Sequence, residues 1–213
     1  LTREDDVRDR TRLINALKES SVLPRITVLL GGEGNVQEDT VSDCPQVAVK
    51  WVESDLSKPH TPPGEFKHGN IDYENTTCPH IDGCFMCKKS EFVPFTALVM
   101  IALTDMTDDY RGNLVVYPGS HRTICEQFAD NYTNLGYLWS QDNQHSIPTG
   151  KNKSVHPLNG IKPQQLHLKA GDAVVMHYLL AHSVVENHGC DPTMKLYWRI
   201  EHKDHRRFRN EAL

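Results

Sequence analysis

The chain has 213 residues, 38% hydrophobic and 24% charged, a globular composition in a length that most simply makes one domain, 1–213, with a real core. A net charge of -5 and a pI near 6.2 lack the basic footprint of a nucleic-acid or anionic-membrane surface, so neither partner is expected. No apolar run approaches the roughly 20 residues of a membrane span.

Taken in order, residues 2–20 read as a helix, because Val7, Leu13, Ile14 and Leu17 recur near helical spacing among charges, and Ser20, Ser21 and Pro24 end it. Residues 25–30, Arg-Ile-Thr-Val-Leu-Leu, have strand composition. The Gly31–Asn35 turn that follows is no phosphate loop, since neither a Lys-Ser/Thr pair nor a helix opens after it. A strand is expected over 46–52, and then a long loop over 57–77 rich in Pro, Gly, His and Asn.

That loop leads into Cys78-Pro-His80-Ile-Asp82-Gly-Cys84-Phe-Met-Cys87. A His and an Asp two apart on extended backbone project from one face, because strand side chains alternate with period two. One imidazole nitrogen and one carboxylate oxygen then stand side by side, two thirds of a facial metal site. The third ligand is expected from a distant His on a strand that folds back alongside, and His182 is the best candidate. Two imidazoles and one carboxylate with open positions suit non-haem Fe(II) oxygenases.

Beyond the motif, Val93–Leu103 is an almost continuous apolar run, read as a strand buried on both faces. Thr107–Gly112 is a turn, Asn113–Tyr117 a short strand, and Pro118-Gly-Ser-His121 the tight bend closing it. Residues 122–160 are polar, with a short helical stretch at 123–130, and read as an excursion over one end of the domain. Strands are expected at Gln165–Leu168 and Ala173–His177 around the turn Lys169–Asp172. Met194–Glu201 is the last strand, and Lys203–Arg209 a basic tail. Many short strands broken by turns, with helices mainly at the front, describe a jelly roll with helical decoration.

The series His80-Ile-Asp82-Gly83, then Gly112-Asn-Leu-Val-Val-Tyr-Pro-Gly-Ser-His121-Arg122, then Gly171-Asp172 and His182 with Asn187, resembles the phytanoyl-CoA dioxygenase-like enzymes in order and spacing over about 46–201. The resemblance implies a mainly β domain with flanking helices, a double-stranded β-helix of the jelly-roll, cupin-like kind. It implies Fe(II), 2-oxoglutarate and O2, with His80, Asp82 and His182 as iron ligands. The keto acid would go to succinate and CO2 while a small organic substrate is hydroxylated. Relatives that halogenate lack the carboxylate that Asp82 supplies. Asn187 and His177 are expected to orient the ligands, and the spacing to Asn187 favours His182 over His177 or His188.

An Arg often lies eleven residues past the distal His in this family, and that position is Thr193. Thr193, Lys195, Tyr197 and Arg199 share one face of the strand by period two. Arg199, in Tyr-Trp-Arg, is the first choice for the far carboxylate of 2-oxoglutarate, because its fork matches a carboxylate bidentately. Lys195 is the second, with Thr193 adding a hydroxyl. The rival readings are a jelly-roll metalloenzyme that uses no keto acid and a non-catalytic binding module on the same barrel.

Cys84 and Cys87, with Cys78 nearby, leave zinc, a local disulfide and free thiols open, although no second pair completes a zinc site. Six scattered cysteines are unlike a stapled secreted module and favour an intracellular, cytoplasmic setting. The sequons at Asn75, Asn131 and Asn152 matter only in a secreted chain, and the opening residues have no signal-peptide pattern.

Overall fold

The computed structural model describes residues 3–37, 45–65, 77, 79–82, 95–131 and 158–204. Cys44, Cys78, Cys84 and Cys87, the sequons at Asn75 and Asn152, the tail beyond 204 and most of the 122–160 excursion lie outside those residues. Among the described residues the protein is mainly antiparallel sheet with flanking helices: α1 (Arg3–Glu19), α2 (Val22–Leu29), β1 (Gln46–Lys50), β2 (Ala97–Ala102), β3 (Leu114–Val116), α3 (Ser120–Asn131), β4 (Gln164–Gln165), β5 (Ala173–His177), β6 (His182–Val184) and β7 (Thr193–Ile200). One sheet has the order β1-β7-β2-β5 and the other β4-β3-β6.

Period-two alternation builds the layers. On β2, Leu98 and Met100 pack with Leu114 and Val116 of β3 and with Met176 of β5, so the two sheets share an apolar interior. The alternate residue Val99 turns the other way, beside Leu196, Trp198 and Ile200 of β7, and meets Leu13 and Leu17 of α1 and Ile26 of α2. On the far side, Ile81, Val115 and Tyr117 pack with Ile124 of α3. Both sheets are thus covered outside by helix. This is why β2 and β3 read as continuous apolar runs rather than alternating ones.

The strand expected at 25–30 is instead part of helix α2. Six apolar-rich residues do not distinguish the two periods, and packing decides. In a helix Val22, Leu23, Ile26 and Leu30 fall on the face that meets the large sheet. Pro24 is third in the helix, among the amides that have no intrahelical acceptor, so its missing N–H costs nothing there. The helix ends where Gly32, with φ of +110°, donates its N–H to Thr27 O.

Among the described residues the other expected strands and helices are present with small shifts of boundary, while residues 66–76 of the expected 57–77 loop lie outside them. The Gln165–Leu168 strand is shorter, and Leu168 pairs with Met106 as an isolated bridge. The Lys169–Asp172 turn is closed by Asp172, which accepts from the Lys169 N–H at 2.8 Å.

Candidate metal centre

His80 lies opposite His182 across an antiparallel bridge in which each backbone N–H donates to the other's carbonyl, at 2.8 and 2.9 Å. Directly paired residues point to the same face, so the two rings meet with centroids 4.4 Å apart. Asp82, two residues on, returns to that face, while Ile81 between them is buried among Tyr117, Ile124 and Leu179. Asp82 Oδ1 is 3.7 Å from His80 Nε2 and 3.8 Å from His182 Nε2. One ligand atom from each of the three residues lies within 4.8 Å of the others. Among the described residues no other cluster of His, Cys, Asp and Glu has this convergence.

The donor set suits a divalent ion. Burial, and then the neighbouring His182, lower the His80 pKa to about 4 although Asp82 opposes the shift, so its imidazole is neutral near pH 7, the form that coordinates. His182 Nδ1 is 2.9 Å from Leu180 O. A proton on Nδ1 donates to that carbonyl and leaves the Nε2 lone pair facing Asp82, the usual way a coordinating imidazole is oriented.

The four residues of one β7 face are dispersed along the interior. Arg199 is nearest the cluster and donates from Nη2 to Asp82 Oδ2 at 2.9 Å. Tyr197 is next, and burial together with the Asp82 charge raises its pKa. Lys195 is almost completely buried and donates to Gly112 O. Burial, and then repulsion from Lys50, lower its pKa to about 8. It has no carboxylate in ion-pair contact among the described residues. Thr193 is also buried, and its Oγ1 has no hydrogen-bond partner among the described residues. An orphaned hydroxyl and an ammonium without a counter-ion two residues apart are costly in an interior.

Asn187 and His177 do not touch the metal-ligand set. The Asn187 amide donates to Lys50 O and Asp191 O, bracing the loop after β6 against β1. The His177 ring lies against His121 and Tyr178. Sequence reasoning placed Tyr197 on the right face but gave it no part. It also missed the contact of Arg199 with Asp82, for which no local pattern exists.

A profile of the family described as phytanoyl-CoA dioxygenase (PhyH) matches residues 66–192. No curated protein matches. Among solved structures, the non-heme alpha-ketoglutarate-dependent epimerase SnoN from nogalamycin biosynthesis is 20% identical, covering 73% of this chain and 47% of that one at a TM-score of 0.38. The non-heme alpha-ketoglutarate-dependent carbocyclase SnoK of the same biosynthesis is 18% identical, covering 78% and 54% at 0.36. A complex of SnoN with Fe3+, alpha-ketoglutarate and nogalamycin RO is 20% identical, covering 83% and 55% at 0.41. The chain spans about half the length of these structures.

Proposed function

The chain belongs to the phytanoyl-CoA dioxygenase family, and on that premise we propose that it is an Fe(II)- and 2-oxoglutarate-dependent oxygenase hydroxylating a small organic substrate. The observation that carries this reading is the convergence of His80, Asp82 and His182, with ligand atoms within 4.8 Å. The two sheets sharing one interior support a double-stranded β-helix, with residues 46–201 as its core and 1–213 as one domain.

His80 Nε2, Asp82 Oδ1 and His182 Nε2 hold the iron. Bound there, iron with 2-oxoglutarate and dioxygen supplies oxidative decarboxylation to succinate and carbon dioxide, coupled to insertion of one oxygen atom into the substrate. The apolar cluster of Ile81, Leu179 and Ala181 beside the ligands keeps water from that side of the site. Lys195 and Thr193 receive the far carboxylate of 2-oxoglutarate, the ammonium as the charge and the hydroxyl as a second donor. Arg199, engaged with Asp82, serves the metal end instead. The buried Lys195 lies two residues from position 193, where this family often has an arginine, and this supports a barrel that still takes a keto acid.

Anaerobic addition of Fe(II) and 2-oxoglutarate should give a weak visible charge-transfer band, and admitting oxygen should release succinate. Absence of both from wild-type protein that binds Fe(II) would leave a metalloenzyme without a keto acid.

A further inference from the structure

Arg199 has three contacts besides Asp82. Its backbone is in the middle of the large sheet, paired with Leu98 of β2. Its guanidinium carbon lies 5.8 Å from the centre of the Phe95 ring, and Nη2 is 3.5 Å from Gln46 Oε1. Held in this way, Nη2 donates to Asp82 Oδ2 at 2.9 Å, while Oδ1 of the same carboxylate faces His80 and His182 at 3.7 and 3.8 Å. The two oxygens of one carboxylate therefore have separate partners.

We propose that Arg199 is a positioning residue that makes Asp82 a one-oxygen metal ligand. An aspartate with both oxygens free coordinates through one or through both. With Oδ2 bonded to a planar cation, only Oδ1 is presented. Two imidazoles and one oxygen then leave three positions of an octahedral ion open. A keto acid that chelates through two atoms and a dioxygen molecule need all three. A chelating aspartate would take one of them, so the arginine preserves the oxygen position although it is no ligand itself. The inference rests on the reading of His80, Asp82 and His182 as the metal site.

Mn(II) alone, in water enriched in oxygen-17, tests it, because broadening of the electron paramagnetic resonance lines counts exchangeable waters on the ion. Wild type should carry three waters, the open positions of the octahedron. R199M should carry two, because Asp82 is freed to chelate. R199Q, whose amide is too short to reach Oδ2, should also carry two and serves should R199M fail to fold. R199K, which still offers an ammonium donor, should restore three. Three waters in both R199M and R199Q would overturn the proposal. So would an unchanged water count together with loss of 2-oxoglutarate binding, which would return Arg199 to the keto acid's far carboxylate. Wild type that binds no Mn(II) would overturn the metal-site reading itself, and the inference with it.

Discussion

Replacing Lys195 by Met should move stability and ligand affinity in opposite directions. Burial and then the charge of Lys50 lower the ammonium pKa from 10.5 to about 8, a penalty on the charged form of about 3 kcal/mol. Met fills a similar volume without the charge. Against that gain stands the lost charged contact with Gly112 O, worth about 1.5–3 kcal/mol. The ligand-free protein should therefore be unchanged or stabilised by up to about 1.5 kcal/mol, as when buried ions give way to apolar residues. Losing the cation opposite a buried carboxylate costs about 2–5 kcal/mol, a rise in the 2-oxoglutarate Kd of roughly 30-fold or more. Urea unfolding of the ligand-free protein, with calorimetric titration of 2-oxoglutarate into Mn(II)-loaded protein, measures both. In wild type the affinity should be flat below pH 8. Above it the free protein loses the proton that binding must restore, and affinity should fall by up to tenfold per unit. K195R should remove that dependence. A K195M protein that is less stable yet binds 2-oxoglutarate as tightly as wild type would refute the reasoning.

His182→Ala should abolish stoichiometric Mn(II) binding with little loss of fold, checked by metal titration beside circular dichroism. Thr193→Val replaces an orphaned buried hydroxyl by a methyl. It should stabilise the ligand-free protein by about 1 kcal/mol while weakening 2-oxoglutarate binding, read in the same two assays. His80 has a pKa lowered from 6.5 to about 4 in the fold, so the unfolded chain takes the proton first. The stability tied to it is complete above pH 6.5, and metal-free protein should lose it as pH falls through that window. His80→Asn should flatten that part of the pH–stability curve. Trp198 is fully buried between β7 and the two leading helices. Its replacement by Ala should cost about 3–5 kcal/mol by urea unfolding.

The amino-acid sequence by itself determined which residues share a face. Period two set His80 beside Asp82 and aligned Thr193, Lys195, Tyr197 and Arg199. Unbroken apolar composition marked Val93–Leu103 as a strand buried on both sides, and turn chemistry located Lys169–Asp172. These are short-range matters, decided by backbone geometry within a few residues. Tertiary structure decided what each face meets. Val22–Leu29 became a helix because the large sheet offered it an apolar surface, which a six-residue run cannot announce. His182 came opposite His80 through backbone hydrogen bonds spanning a hundred residues of chain. Arg199 reached Asp82, and Lys195 reached the carbonyl of Gly112, only because β7 runs through the middle of the large sheet with its polar face turned inward. Whether a cation in a strand is solvated or buried depends on the layer placed over it, and that layer comes from residues far away in the chain.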